Sequence, residues 1–338
     1  MTILSDITTL DAVAGLAATL PQADSAAAEA ARARQDSLTK PPGALGRLEE
    51  LAIHMAGWQR SERPRIETAQ ALVFAGNHGI CAQGVNPFPQ AVTAQMVANF
   101  EAGGAAINQL CRASGADLSV HALDLDRPTR DFSQAVAMDP EEVLAAMKTG
   151  AEAVDPAAQV LVLGEMGIGN STVAAALACA TFGGAPADWV GRGTGSDAAG
   201  RARKAEVVAD GVARHQAARG LTLLAAFGGR EQAAICGAVL EARARAIPVL
   251  LDGYICTAAV APLFDADPAL LAHCLAGHAS AEPGHRRLLD AMGLRPVLSL
   301  DMALGEGSGA ALALGVLRAA LECHNGMATF AEAGVSGG

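Results

Sequence analysis

The chain has 338 residues, of which 51% are hydrophobic and only 3% aromatic, and its formal net charge is −11. This length can bury a large core and suits one large domain, alone or with a small appendage. The Ala- and Gly-rich composition excludes a disordered chain. Basic residues are dispersed and form no stripe interleaved with aromatic residues, so we expect no nucleic-acid partner.

The seven cysteines are odd in number, lie mostly in apolar runs and include no Cys-x-x-Cys pair. We interpret them as reduced core residues of a protein in a reducing compartment. The N-terminus lacks a basic region followed by an apolar run, and no charge-free segment is long enough to be a convincing membrane span. These patterns predict a cytoplasmic enzyme with no membrane partner.

Two predicted helices, at 24–36 and 45–59, open the chain, and a loop with Pro41, Pro42 and Gly43 separates them. Short apolar strand candidates then alternate with Ala-rich helical stretches. The strands are predicted at 70–75, 118–123, 159–163, 247–251 and 296–300. The further helices are predicted at 89–113, 140–153, 171–181, 200–218, 230–245, 254–261 and 310–323.

Continuous apolar strands separated by helices indicate a mostly parallel, doubly wound sheet covered on both faces, which is a three-layer α/β/α fold. The last predicted helix could return to pack with the first two. We therefore predict that residues 1–62 begin a small helical domain, that 63–309 form an α/β nucleotide-binding catalytic domain, and that 310–338 return to the small domain. Gly334–Gly338 are expected to fray.

Three glycine-rich segments are candidates for a phosphate site at the carboxyl ends of the strands, where ligands of open α/β sheets bind. They are 164–172 (GEMGIGNST), 191–195 (GRGTG, with Arg201 and Lys204 beyond it) and 301–309 (DMALGEGSG). Glycines let backbone N–H groups approach an anion, and a helix N-terminus adds partial positive charge. A tight strand–helix turn would explain one such loop, whereas three loops near basic residues favour a phosphate site.

The standard phosphate motifs are incomplete. Residues 164–171 have Walker A spacing, but Asn170 replaces the lysine that would contact the β- and γ-phosphates. Residues 305–310 match the dinucleotide fingerprint, yet the 28 residues that follow are too few to complete that unit. The segment 250–253 (LLDG) has one acid, where transferases of pyrophosphorylated ribose usually carry two. The loops therefore suggest a monophosphate ligand.

Glu306 is the sharpest candidate for chemistry, because the two glycines that flank it leave its side chain little cover. It could face a ligand cleft, or it could be a helix N-terminal acid stabilised by the helix dipole by roughly 0.3–1 kcal/mol. The position of Glu306 in the sequence does not decide between these two roles, and the same two roles are open for Glu165. His78 could contact a ligand at a strand end or hold a loop. A metal site is not expected, because metal-site spacing is lacking at His273, His278 and His285.

Motifs along nearly the whole chain resemble the nicotinate-nucleotide–dimethylbenzimidazole phosphoribosyltransferase family, which builds the lower ligand of cobalamin. The similarity runs from residues 38–49 to 324–327. The matching segments between them are GNHGICAQGV (76–85), FPQAVTAQMV (88–97), GEMGIGNST (164–172), GRGTG (191–195), PVLLDGY (248–254), HASAEPGH (278–285) and LGEGSGAALAL (304–314). This ordered set is far more specific than any one glycine loop.

The resemblance implies an α/β/α domain with a parallel sheet, a small helical domain from both chain ends, and a homodimer. It also implies that the phosphoribosyl group of nicotinate mononucleotide is transferred to 5,6-dimethylbenzimidazole, which gives α-ribazole 5′-phosphate and nicotinate. No cofactor or metal is implied, since the donor already carries a cationic pyridinium leaving group.

The resemblance also implies three groups of site residues. The catalytic positions fall on Glu306, Glu165 and Lys204. The phosphate-binding backbone falls on Met166, Gly167, Ile168, Gly169, Asn170, Gly191, Gly193 and Gly195. The acceptor pocket falls on Pro87, Phe88, Gln90, Leu304 and Gly305. Some relatives have an acid where this chain has Asn77, which leaves the role of Asn77 and His78 open.

The implied chemistry suits these residues. One benzimidazole nitrogen can attack the ribose C1′ once a carboxylate has accepted the proton of the other nitrogen. Two alternatives stay open: a related transferase with another aromatic base or a phenol as acceptor, and a non-catalytic nucleotide-binding module. The module would keep the phosphate loops but would not need Glu306.

Overall fold

A computed structural model describes residues 1–193 and 195–336, so position 194 of the predicted glycine loop and residues 337–338 of the predicted frayed end lie outside the described residues. Within these ranges a parallel five-stranded sheet has the order β2-β1-β3-β4-β5. Its strands are β1 (Ala69–Ala75), β2 (Asp117–Ala122), β3 (Val160–Met166), β4 (Val249–Leu251) and β5 (Cys274–Ala276). A separate parallel pair joins β6 (His278–Ala279) to β7 (Leu298–Ser299).

The helices follow local sequence signals. Asp24 Oδ1 accepts a hydrogen bond from Ala27 N at 2.9 Å at the start of the second helix, which is the usual role of an N-cap aspartate. The helices are α1 (Leu10–Ala14), α2 (Ser25–Ser37), α3 (Arg47–Gln59), α4 (Ala91–Glu101), α5 (Ala106–Ser114), α6 (Pro140–Glu152), α7 (Asn170–Phe182), α8 (Ala198–Arg214), α9 (Thr222–Phe227), α10 (Arg230–Ala244), α11 (Tyr254–Ala259), α12 (Ala261–Ala266), α13 (Pro283–Met292), α14 (Ser308–Gly326) and α15 (Phe330–Ala333).

The sheet has an apolar core on each face, because successive strand residues point to opposite sides. Leu72 and Leu163 pack on one face with residues of α6, α7 and α10. Val73 and Val162 pack on the other face with residues of α3, α5 and α14. The prediction of a mostly parallel sheet between two helical layers is confirmed.

Helices from the two chain ends pack against each other. Arg34 Nε donates to His324 O at 2.7 Å, and Gln35 Nε2 lies 2.9 Å from His324 Nδ1. Leu38 and Thr329 form an antiparallel bridge that joins the ends of α2 and α14. The domain boundaries at residues 62 and 309 stay a prediction.

Some predicted elements differ from the structure, and one strand of the central sheet was not predicted. The strand predicted at 296–300 is reduced to β7 and lies outside the central sheet; Leu300 is 54% exposed, which is unlike a strand covered on both faces. The helix predicted at 89–113 is two helices, because Gly103 takes a left-handed φ of 78° between α4 and α5. The strand β5 at the edge of the central sheet was not predicted, since three residues are too short for a recognisable pattern.

All seven cysteines are free, and five of them are buried. Among the described residues, no helix is both long enough and apolar enough to cross a membrane.

Candidate active site

A cleft opens at the carboxyl edge of the central sheet, above β3 and β4. The carboxyl ends of parallel strands are where open α/β sheets bind ligands. The cleft encloses about 740 Å³ up to its open mouth. Its walls are residues 165–171 after β3, residues 252–255 after β4, the segment from His278 to Glu282, and the loop 303–306 before α14.

Three buried carboxylates, those of Glu165, Asp252 and Glu306, line this cleft, and the buried carboxylate of Glu231 is close to Glu165. Glu165 is 4% exposed, Glu306 is 6% exposed, and Asp252 and Glu231 are fully buried. Burial, followed by the charges of Asp252, Glu231 and Glu306, raises the pKa of Glu165 well above its ordinary value. Asn170 Nδ2 donates a hydrogen bond to Glu165 Oε2. Glu165 therefore holds its proton more tightly than a solvated glutamate does.

Glu306 occupies a strained turn at the mouth of α14. It has a φ of 64° between Gly305 and Gly307, whose φ values are 85° and 83°. A residue with a Cβ rarely adopts this left-handed conformation, and such strain is concentrated at functional sites. Glu306 Oε2 is buried and has no hydrogen-bond partner among the described residues. Burial raises the pKa of its carboxyl. The side chain lines the cleft as an available proton acceptor.

The loop that follows β3 brings a helix N-terminus to the cleft. All five predicted positions, residues 166–170, line the cleft together with Ser171. Gly169 has a φ of 97°, which lets the chain turn directly into α7. The first amides of α7 therefore lie beside the space where an anion would be stabilised.

Lys204 lies beside two residues of the cleft wall, Ser171 and Gly193. Its Nζ donates to Ser171 Oγ at 3.1 Å, and its side chain is buried. Burial lowers the pKa of Lys204, while the charge of Glu282 raises it. Gly193 lines the cleft, and its N–H donates to Glu282 Oε1 at 2.9 Å. Gly191 packs against Glu282, so of the predicted glycines Gly195 alone has no described contact here.

Only some of the predicted acceptor residues line the cleft. Leu304 and Gly305 line the cleft beside Glu306, and Leu304 is 55% exposed. Pro87 and Phe88 are exposed and lie outside the cleft walls, although their neighbour Asn86 is part of them. Gln90 Nε2 donates to the backbone carbonyl of His78.

The histidines take structural positions. His78 is fully buried, with Nε2 3.0 Å from Glu231 Oε1, and it lies beneath the loop that follows β3. Burial lowers the pKa of His273 and of His285 to about 3. His273 Nε2 lies 3.0 Å from Val239 O. Within residues 1–193 and 195–336, no group of three or more His, Cys, Asp or Glu is arranged to hold a metal.

Two acids of the site were not identified from the sequence. Asp252 directly follows β4. Its place at the end of a predicted strand is the same signal that identified Glu165, and it would have identified Asp252 as well. Glu282 lies between β6 and α13, neither of which was predicted, so no sequence signal placed it near Lys204.

The comparisons with known proteins agree over almost the whole chain. The model of a phosphoribosyltransferase family matches residues 20–335. Two curated relatives are named nicotinate-nucleotide–dimethylbenzimidazole phosphoribosyltransferase. That of Rhodobacter capsulatus is 65% identical and covers 96% of this chain and 97% of its own. That of Roseobacter denitrificans is 61% identical and covers 98% of each chain. The crystal structure of CobT from Thermus thermophilus superposes with a TM-score of 0.87 at 43% identity, covering 93% of this chain and 100% of that one.

Proposed function

The chain belongs to the nicotinate-nucleotide–dimethylbenzimidazole phosphoribosyltransferase family, and we propose that it transfers the phosphoribosyl group of nicotinate mononucleotide to 5,6-dimethylbenzimidazole with Glu306 as general base. The observation that supports the role of Glu306 is its buried carboxylate oxygen, which has no partner among the described residues. Glu306 lines the same cleft as the glycine loop, and Lys204 is bonded to Ser171 in the wall of that cleft. The products are α-ribazole 5′-phosphate and nicotinate.

The donor phosphate binds at the end of the cleft where positive groups converge. The backbone amides of this loop and of the first turn of α7 that are not already bonded supply oriented donors; Ile168 N donates to Thr93 Oγ1, and Asn170 N donates to Gly167 O. The Lys204 ammonium supplies a charge. Glu165 lies between this end and Glu306 and, in its protonated form, does not repel the phosphate. The same protonation removes a neighbouring negative charge, which lets Glu306 ionise.

Transfer requires one proton to move and one bond to exchange. Glu306 accepts the N–H proton of the benzimidazole, and the other ring nitrogen forms a bond to C1′ of the ribose. The bond from C1′ to the pyridinium nitrogen breaks, and its electron pair neutralises the ring as nicotinate leaves. Attack from the face opposite the leaving group inverts the anomeric configuration.

The acceptor enters from the mouth of the cleft, where Leu304 is half exposed. The predicted acceptor residues Pro87, Phe88 and Gln90 are assigned to the side of the cleft where the benzimidazole binds. We also propose that the protein is a cytoplasmic homodimer. A molar mass of two chains by light scattering supports the dimer, and a monomer at micromolar concentration contradicts it.

The decisive experiment is incubation with nicotinate mononucleotide and a panel of bases: 5,6-dimethylbenzimidazole, adenine and a phenol. Free nicotinate and the ribosylated base are measured together by chromatography. Equal amounts of nicotinate and α-ribazole 5′-phosphate support the proposal. Preference for another base gives the alternative transferase, nicotinate release without any base gives a hydrolase, and the absence of turnover gives a nucleotide-binding module.

A further inference from the structure

The turn that carries Glu306 is held from two neighbouring strands of the sheet. Three successive residues, 305–307, have left-handed φ values between 64° and 85°. Glycine adopts such values readily, whereas a residue with a Cβ such as Glu306 is strained by them. A conformation of this kind persists only where surrounding contacts fix it.

The contact from β4 is made by the buried carboxylate of Asp252. Asp252 Oδ2 accepts a hydrogen bond from Gly307 N at 3.1 Å, and Asp252 Oδ1 accepts one from Ala310 N at 2.9 Å. These are N–H groups at the first turn of α14, which the helix itself leaves without partners. The carboxylate caps α14 across a sequence separation of 55 residues to Gly307.

Further contacts fix the turn on the side of β3. Gly164 lies so close that a Cβ there would approach Glu306 C at 2.6 Å and Glu306 O at 2.7 Å. A Cβ on Gly305 would approach Glu165 Oε1 at 2.6 Å. On the other side of Asp252, His278 Nε2 lies 3.5 Å from Asp252 Oδ1. Asp252 thus lies in the cleft wall with each oxygen bonded to a backbone amide, one in the turn and one in the first turn of α14.

We infer that Asp252 is a positioning residue that acts through Glu306, by holding the 305–307 turn so that the general base points to the acceptor. The inference rests on the proposed function of Glu306. Because Asp252 has both oxygens bonded to amides, it neither accepts the substrate proton nor binds the donor phosphate. A shift of about 1 Å in a reacting group can lower the rate about 100-fold. Loss of one of these hydrogen bonds is therefore expected to lower kcat.

The test is a double-mutant cycle of Asp252→Asn and Glu306→Gln. Asn is isosteric with Asp but offers one acceptor oxygen where two amides need one each. We expect Asp252→Asn to keep the dissociation constant for nicotinate mononucleotide and to lower kcat about 10- to 100-fold. In the Glu306→Gln background, we expect the same change to lower kcat no further. Asp24→Asn, the same substitution at the cap of α2, is the matched control and leaves kcat unchanged.

Each other outcome has a defined meaning. An unchanged kcat in Asp252→Asn, equal losses in both backgrounds, or a loss confined to donor binding contradicts the positioning role. Near-normal turnover of Glu306→Gln contradicts the proposed base itself and is recognised before the cycle is completed. If Asp252→Asn does not fold by circular dichroism, the cycle is run with Asp252→Ser, whose hydroxyl still accepts one amide hydrogen bond.

Discussion

Glu306 combines three properties that rarely coincide in one carboxylate: a left-handed backbone, burial, and an oxygen without a partner among the described residues. A helix N-terminal glutamate that only interacts with the helix dipole would be solvated and unstrained. The structure therefore favours a catalytic role for Glu306 over a role in stabilising the helix dipole, which the sequence alone left equally open. The raised pKa of Glu306 also makes its ionised carboxylate a stronger proton acceptor than a solvated glutamate.

Replacing Glu306 by Gln removes the base and keeps the shape of the side chain. We expect kcat to fall about 10²- to 10⁴-fold, the usual contribution of general base catalysis. The dissociation constant for nicotinate mononucleotide, measured by calorimetry, stays near that of the wild type. Glu322→Gln is the control, since Glu322 is an exposed glutamate on the same helix. A turnover close to wild type in Glu306→Gln would remove this residue from the chemistry.

Lys204 is expected to act on the donor and not on the base. Its ammonium lies beside Ser171 at the phosphate end of the cleft. A hydrogen bond to a charged group contributes roughly 1.5–3 kcal/mol, so we expect Lys204→Ala to raise KM for nicotinate mononucleotide about 10- to 100-fold. KM for the benzimidazole changes little. Lys148→Ala on α6 is the control, and an unchanged donor KM in Lys204→Ala would exclude the assignment.

The sequence predicted which single residues lie at the site better than it predicted the contacts between them. Glu165 and residues 166–170 were predictable, because they follow a long apolar strand at the sheet edge where ligands bind. The contact between Lys204 and Ser171 was not predictable, because it depends on how α8 packs against α7. Pro87 and Phe88 were assigned by resemblance, and the single chain leaves them outside the cleft.

Among the elements, β3 and α14 depend on each other through a glycine. Gly164 is buried in β3, and its missing Cβ is the space into which the backbone of Glu306 and Gly307 fits. The same packing brings α14 onto the sheet, where Leu314 joins the core with Val162. The strand and the helix therefore fix the base by backbone contact, without a side chain between them.

A methyl group at Gly164 would enter that space. We expect Gly164→Ala to push the 305–307 turn away from β3 and to lower kcat by about 100-fold or more, because the base is displaced. Gly315→Ala is the matched control: this glycine is exposed in α14 with nothing within 4 Å of a Cβ. It should keep kcat and stabilise the protein by roughly 0.5–1 kcal/mol. Equal kcat values for the two variants would contradict the packing argument.

Long elements were predictable from pattern, and short ones were not. The apolar runs of β1 and β3 and the Ala-rich α7 and α10 were recognised, because each extends over enough residues to show a period or a continuous core. The strand β5 and the pair β6–β7 depend on pairing partners far away in sequence. The break between α4 and α5 had a local signal in Gly103–Gly104 that the helical composition outweighed.

For the whole molecule, buried histidines couple folding to pH. His273 is fully buried against Trp58 and Val239 O, and burial followed by the charge of Arg243 lowers its pKa to about 3. An unfolded chain binds a proton at this site near pH 6.5. The stabilising contribution is therefore complete above pH 6.5 and is lost progressively as the pH falls towards 3.

His273→Gln should remove this dependence, since the Gln amide can still donate to Val239 O. Between pH 8 and pH 5, we expect the wild type to lose about 2 kcal/mol more free energy of unfolding than the variant, measured by urea denaturation. Asp252, with a pKa raised to about 7, acts in the opposite direction, but it is present in both proteins and cancels in the difference. Parallel pH curves for the two proteins would contradict the prediction.

The crowding of carboxylates also bears on how a turnover ends. The ring of bound nicotinate mononucleotide is a cation, and a positive charge favours the ionised forms of the cleft acids, whose pKa values burial raises. Transfer leaves the ring neutral and moves a proton to Glu306, so the attraction between ring and acids is lost. The acids that hold the cationic ring of the donor thus hold the neutral ring of nicotinate less well. Product departure is favoured by the same charges that favour substrate capture.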